Sequence, residues 1–104
     1  MTYQGIPVVG GKAEGLACVL TSVKDLVKVQ QGDIVVVDRA TPLYAPAFKK
    51  AKGLIVAEGG RLTHASVLAR EYALPCIILK HATTLLHDGD RVEIHADIGT
   101  VCII

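Results

Sequence analysis

The stretch from Gly53 to Tyr72 reads GLIVAEGGRLTHASVLAREY and contains three signals in succession. The apolar run from Leu54 to Val56 predicts a short buried strand. Gly59 and Gly60 then predict a loop, because glycine adopts backbone conformations that are closed to other residues. From Thr63 to Tyr72 the apolar residues recur at helical spacing. The stretch therefore predicts a strand, a glycine loop and a helix, in that order.

The rest of the chain adds short strands and one more helix. Ile34 to Val37 are four consecutive β-branched residues, which is typical of a strand buried on both faces. Thr41-Pro42 ends that pattern and predicts a short helix from about Tyr44 to Lys50. Further strands are predicted at Cys76 to Leu79 and at Arg91 to Ala96. Together these elements predict an α/β fold, a small sandwich or open barrel of short strands with two main helices.

Length and composition limit the classes of function. The chain has 104 residues, 51% hydrophobic and 20% charged, which predicts one folded domain over residues 1–104. Its formal net charge of +1 argues against nucleic acid or an anionic membrane as the main partner. The sequence contains neither an apolar run of about 18 residues nor a signal peptide, so we expect a cytoplasmic location. A chain this short has little mass for a deep cleft, and we expect it to supply part of a larger site.

The cysteines indicate a reducing compartment. Cys18, Cys76 and Cys102 are odd in number and contain no Cys-x-x-Cys pair, so the sequence predicts neither a disulfide framework nor a zinc knuckle. Cys76 and Cys102 lie inside apolar runs, and we expect both to be small buried hydrophobic residues.

The histidines outside the central stretch are weaker candidates for function. His81 and His87 flank a polar turn and are expected to be solvated. Glu93, His95 and Asp97 share one face of a predicted strand, a conceivable metal geometry. The outward face of an alternating strand explains them better, so no metal site is predicted.

His64 falls in the first turn of the predicted helix, with Thr63 as a candidate N-cap. The first turn carries unpaired N–H groups and a partial positive charge, which favour a neutral, nucleophilic imidazole. The same N–H groups would receive a phosphoryl group attached to that imidazole. The pattern therefore fits covalent catalysis through histidine. Two other interpretations stay open from the residues alone: a capping or surface histidine, and a loop that only binds a phosphate ligand.

The residues from Gly59 to Glu71, followed by Leu74-Pro75, closely resemble the active-site signature of the phosphoenolpyruvate-utilising enzymes. The resemblance covers nearly the whole chain, including Thr41-Pro42, Ala82-Thr83 and the run from Asp88 to Val92. The sequence is similar to the mobile phosphohistidine domain of phosphoenolpyruvate synthase, pyruvate phosphate dikinase, enzyme I and rifampin phosphotransferase. This resemblance implies a swivelling β/β/α domain.

The resemblance also implies a phosphoryl carrier. His64 matches the family's histidine, which accepts a phosphoryl group from an ATP- or phosphoenolpyruvate-binding partner domain and passes it to an acceptor such as pyruvate. The implied partners are an ATP-grasp nucleotide-binding domain and a phosphoenolpyruvate/pyruvate-binding domain, in the parent chain or in trans. Mg²⁺ and ATP belong to those partner domains, and no cofactor is expected in this one. The domain is therefore not expected to turn over alone.

Supporting residues follow from the same resemblance. Thr63 matches the hydroxyl residue before the family's histidine, and Gly59 and Gly60 shape the loop and let a partner approach. Arg61 is a candidate to neutralise phosphate. Thr41 matches a loop that lies near the histidine in the family.

The sequence departs from the family pattern at a few positions. Leu62 stands where dikinases commonly have threonine, and Leu43-Tyr44 replaces an Asp-Trp-like pair. These changes bear on the identity of the partners more than on phosphorylation. A second function stays open, because appended domains of this type can keep the histidine motif: a non-catalytic regulatory or interaction module of the same fold, as is appended to some pyruvate kinases. A passive binder of a phosphate ligand is a third.

Overall fold

The computed structural model describes residues 1–57 and 63–104, apart from the side chains of residues 63 and 64. The described residues form eight strands: β1 (Thr2–Gln4), β2 (Ile6–Val9), β3 (Lys12–Leu20), β4 (Ile34–Val37), β5 (Gly53–Val56), β6 (Cys76–Ile78), β7 (Arg91–His95) and β8 (Thr100–Ile103). The helices are α1 (Ala45–Lys50), α2 (Thr63–Glu71) and α3 (Ala82–Leu85), with 3-10 helices at Val23–Lys28 and Pro42–Tyr44.

The strands follow the order β1-β8-β7-β3-β4-β5-β6-β2. Strand β3 is long enough to belong to two sheets. Its first half, from Lys12 to Leu16, pairs antiparallel with β7, and its second half, from Ala17 to Leu20, pairs in parallel with β4. Strands β3 to β6 are parallel to one another, while β1, β7 and β8 are antiparallel to their neighbours.

A second corner joins the two ends of this strand order. β1 pairs with β8 and β2 pairs with β6, and only Gly5 separates β1 from β2 in the chain. The Gly5 N–H donates to the Gly99 carbonyl oxygen at 2.7 Å. A β-carbon at position 5 would collide with the carbonyl oxygen of Ile78, so the corner requires glycine. The two sheets are therefore connected at both sides, which produces a sandwich.

The parallel sheet has a hydrophobic core on each face. In β4, Ile34 and Val36 point toward the antiparallel sheet, where they pack in one cluster with Val92, Ile94 and Val101. Val35 and Val37 point to the other face, where they pack in a second cluster with Phe48 of α1 and Leu68 of α2. All four β4 side chains have 0% exposure. The layers are therefore antiparallel sheet, parallel sheet and helices.

The α/β fold class predicted from the sequence is confirmed, including its β/β/α layering and a strand at Ile34 to Val37 buried on both faces. The two main helices also occur near their predicted bounds, with Pro46 in the first turn of α1. The 3-10 turn Pro42–Tyr44 precedes α1, because Thr41 caps it and proline fits its first position. Of the two cysteines expected in the core, Cys76 is buried, but Cys102 is only half-buried because it lies on the outer sheet beside Thr2.

Candidate functional site

The carboxyl ends of four parallel strands meet at one edge of the central sheet, which we call the carboxyl edge. Leu20, Val37, Val56 and Ile78 end the strands β3, β4, β5 and β6, and the pairing aligns them in one row. In open α/β sheets, ligands bind beside the carboxyl ends of the strands. The segments that leave this row are therefore candidates for a ligand site.

Two backbone hydrogen bonds continue the ladder beyond the strands at this edge. The Ala57 N–H donates to the Val37 carbonyl oxygen at 2.8 Å, and the Leu79 N–H donates to the Val56 carbonyl oxygen at 2.9 Å. The chain segments after β4, β5 and β6 therefore leave the sheet side by side, in fixed register.

Helix α2 begins at the carboxyl edge and runs back to the opposite end of the sheet. After the helix, the Pro75 carbonyl oxygen accepts the Leu54 N–H at 2.9 Å, next to the start of β5. Ala65, Leu68 and Ala69 are buried in the helix-side core and hold α2 against the sheet. Position 64 is thus the second residue of a helix whose N-terminus lies at the carboxyl edge.

The structure describes the other predicted site residues only in part. Gly59, Gly60 and Arg61 lie outside the described residues, as do the side chains of Thr63 and His64. Helix α2 includes Thr63 as its first residue. The proposed cap at Thr63 and the contacts of His64 stay predictions.

Thr41 is the predicted site residue that the structure describes in full. It follows β4 and is partly buried, and its hydroxyl oxygen accepts the Leu43 N–H at 3.1 Å. This bond caps the 3-10 turn that leads into α1. Thr41 and the start of α2 follow the neighbouring parallel strands β4 and β5 at the same edge. A role for Thr41 beside His64 stays a prediction.

Sequence reasoning missed a polar network at the carboxyl end of β3. Lys28 donates to an Asp88 carboxylate oxygen at 2.8 Å and to the Val19 carbonyl oxygen at 3.0 Å, and it lies 3.6 Å from Asp25. The hydrogen bond to Asp88 raises the pKa of Lys28. The same bond, followed by the Val19 N–H, lowers the pKa of Asp88. Asp25 accepts bonds from Thr21, and these lower its pKa.

A second missed contact ties the segment after β4 to α3. The Thr83 hydroxyl donates to an Asp38 carboxylate oxygen at 2.8 Å, although 45 positions separate the two residues. Asp38 directly follows the buried strand β4, and a polar residue at the end of a buried strand is the sequence signal that could have drawn attention to it. Its partner could not be identified without the strand order.

The described residues contain no group of three or more His, Cys, Asp or Glu side chains placed to hold a metal ion. His95 forms a hydrogen bond with Glu93 on the outer face of the antiparallel sheet. This contact accounts for two of the three residues, Glu93, His95 and Asp97, that share one face of a predicted strand in a conceivable metal geometry. In the part of the chain covered by the structure, no helix is long and apolar enough to cross a membrane.

The fold and the edge geometry define a class: a β/β/α domain with a helix N-terminus at the carboxyl edge of a parallel sheet. A family model described as "PEP-utilising enzyme, mobile domain" matches residues 29–99, which is most of the chain. The chain belongs to this family, and the resemblance stated from the sequence is confirmed.

Curated relatives carry names that agree with the family. The chain is 38% identical over 101 residues to the rifampicin phosphotransferase of Bacillus cereus, covering 96% of this chain and 12% of the relative. It is 36% identical over 99 residues to the probable phosphoenolpyruvate synthase of Archaeoglobus fulgidus, covering 94% of this chain and 13% of the relative. The chain thus spans about an eighth of the length of these relatives.

Solved structures share the fold. The holo-form aconitase X of Thermococcus kodakaraensis matches with a TM-score of 0.71 and 21% identity, over 100% of this chain and 98% of that chain. An Enzyme I protein matches with a TM-score of 0.63 and 23% identity, over 75% of this chain and 33% of that chain. At these identities the likeness concerns the fold alone.

Proposed function

We propose that the chain is a phosphoryl-carrier domain in which His64 accepts a phosphoryl group and passes it to an acceptor. The donor is an ATP- or phosphoenolpyruvate-binding partner domain, and the acceptor is a small molecule such as pyruvate. Thr41, Gly59, Gly60, Arg61 and Thr63 complete the proposed site. The partner domains supply ATP and Mg²⁺, and this domain binds neither.

The observation that carries the proposal is the position of residue 64 in a member of this family. It is the second residue of α2, and the helix N-terminus lies at the carboxyl edge of the parallel sheet. N–H groups of a first helical turn have no partner within the helix and attract anions. A phosphoryl group on a histidine there is therefore stabilised where it is formed.

A mobile carrier suits the chemistry of phosphoryl transfer. Such transfer depends on positioning and charge neutralisation more than on covalent chemistry by the protein. A phosphohistidine stores the group between two partner sites, so neither site has to bind both substrates at once. Movement of the domain then excludes water at each site.

Intact-mass spectrometry after incubation with phosphoramidate tests the proposal without any partner domain. One ring nitrogen of His64 attacks phosphorus, the P–N bond of phosphoramidate breaks, and ammonia leaves with the electron pair of that bond. We expect one added phosphoryl group that is labile in acid and stable in base.

The variant His64→Ala is the matched control and should gain no mass. Failure of the wild-type chain to gain mass, or equal labelling of both proteins, would overturn the carrier proposal. The non-catalytic module would then become the better interpretation.

A further inference from the structure

We propose that Lys80 and His81 contact the phosphoryl group while it is transferred to or from His64. This inference rests on the proposed carrier function and names a second set of residues for the same site. The ligand chemistry is that of a phosphoryl oxyanion, for which an ammonium and an imidazole N–H are suitable donors.

The first support is the place of the two residues in the sheet. β6 is the neighbour of β5, and the Leu79 N–H still donates to the Val56 carbonyl oxygen at 2.9 Å. Lys80 and His81 come next, so they leave the carboxyl edge beside the end of β5. Leu79 before them and Ala82 after them both pack in the core between the sheets.

The second support is the backbone of His81. Its φ of 64° and ψ of 22° place it in the left-handed region, which costs a non-glycine residue free energy. Glycine would make this turn at lower cost. Strained residues of this kind cluster at active sites and ligand-binding sites. The imidazole of His81 caps nothing in α3, so helix capping does not explain its presence.

The third support is the state of the two side chains. Both are exposed, and neither takes part in an ion pair or a side-chain hydrogen bond among the described residues. Their donors are therefore available to an incoming anion. Lys28, which contacts the Val19 carbonyl oxygen near the end of β3, is by contrast held by Asp88.

The proposed role is charge neutralisation during the transfer step described above. Oxygen atoms of the phosphoryl group gain contacts with the Lys80 ammonium and a His81 ring N–H while the nitrogen–phosphorus bond forms. Neither residue forms a covalent bond. Donors placed at developing or transferred negative charge accelerate the step that moves the charge.

The fold supplies a matched control for the strain at His81. Ala73 is the other described non-glycine residue with positive φ, at 55°. It follows α2, whose C-terminus lies at the end of the sheet opposite to the carboxyl edge. His81→Gly and Ala73→Gly therefore relieve the same kind of strain at opposite ends of the domain.

The experiment measures the rate of phosphoramidate labelling and the thermal midpoint for wild type, His81→Gly, Lys80→Ala and Ala73→Gly. Both glycine variants should unfold at a higher temperature than wild type. Labelling of His64 should slow about tenfold in His81→Gly and about threefold in Lys80→Ala, but stay at the wild-type rate in Ala73→Gly.

The outcomes separate the two proposals. Wild-type labelling rates in both His81→Gly and Lys80→Ala would overturn this inference and leave the carrier function standing. An unlabelled wild-type chain would overturn both. Equal slowing in Ala73→Gly would assign the effect to general loss of strain and would likewise overturn the role of His81.

Discussion

The Lys28 ammonium lies 2.8 Å from a carboxylate oxygen of Asp88, although 60 positions separate the two residues in the chain. The other oxygen of Asp88 accepts the Val19 N–H at 2.7 Å. One carboxylate therefore joins the end of β3, the 3-10 helix Val23–Lys28 and the turn before β7. All three segments adjoin the carboxyl edge, so this contact holds them together beside the proposed site.

Replacement of Asp88 by asparagine should make the free energy of unfolding less dependent on pH in acidic solution. The pKa of Asp88 is lowered in the folded chain, by the Lys28 hydrogen bond first and the Val19 N–H second. Its contribution is thus complete above the ordinary carboxyl pKa of about 4 and is lost as the pH falls through the lower folded value. Because the side chain is 52% exposed, we expect a loss of about 0.5–1 kcal/mol at pH 7.

Urea unfolding of wild type and Asp88→Asn between about pH 2 and 7 measures this difference. The two curves should converge at the acid end. Glu71→Gln is the matched control, since Glu71 is an exposed acid whose side chain forms no hydrogen bond or ion pair among the described residues. A difference between wild type and Asp88→Asn that is as large at pH 2 as at pH 7 would contradict the assignment.

The corner at Gly5 should tolerate no side chain. A β-carbon there would strike the Ile78 carbonyl oxygen and approach the Ile77 side chain to 2.7 Å. A backbone oxygen in a paired strand cannot move away, so Gly5→Ala should cost about 2–3 kcal/mol. Gly89→Ala provides the comparison, because position 89 has a φ of 89° but open space around it. That variant should lower the free energy of unfolding by only about 1 kcal/mol. A thermal midpoint for Gly5→Ala equal to or above that of Gly89→Ala would contradict the close approach of the chain at Gly5.

The buried parallel strands were predictable from sequence because their signal is local. Four β-branched residues in succession at Ile34 to Val37 require apolar partners on both faces, and the structure supplies a core on each. The corners were not predictable in the same way. Whether Lys12 to Leu20 serves one sheet or two depends on which strands pair with it, and pairing is a long-range property.

The same distinction between local and long-range signals applies to the candidate site. The glycine pair followed by a helical pattern predicts a helix start near residue 63, since caps and periodicity act within a few residues. Contacts between segments far apart in the chain, such as Asp38 with Thr83, depend on the strand order β3-β4-β5-β6. No local pattern in the sequence encodes that order.

Thr41 should act through its oxygen as a cap for the turn before α1. Its hydroxyl oxygen accepts the Leu43 N–H, so Thr41→Val removes the bond at nearly constant volume and should cost about 1 kcal/mol. Thr41→Ser keeps the oxygen and should lose less than half of that amount. Chemical denaturation of the two variants measures the difference, and a larger loss in Thr41→Ser than in Thr41→Val would show that the methyl group, not the hydroxyl, stabilises the turn.

The three cysteines should differ sharply in reactivity. Burial raises the pKa of Cys76 to about 12, and burial followed by the nearby Asp88 raises that of Cys18. Thiol reagents attack the thiolate, so both groups are protonated and inaccessible at pH 8 in the folded chain. Cys102 is only half-buried and should react first. Ellman's reagent should therefore detect one fast equivalent in the native protein and three in denaturant, and Cys102→Ser should abolish the fast one. Rapid reaction of a second thiol in the native state would mean that the core opens around β3 or β6 more readily than its burial implies.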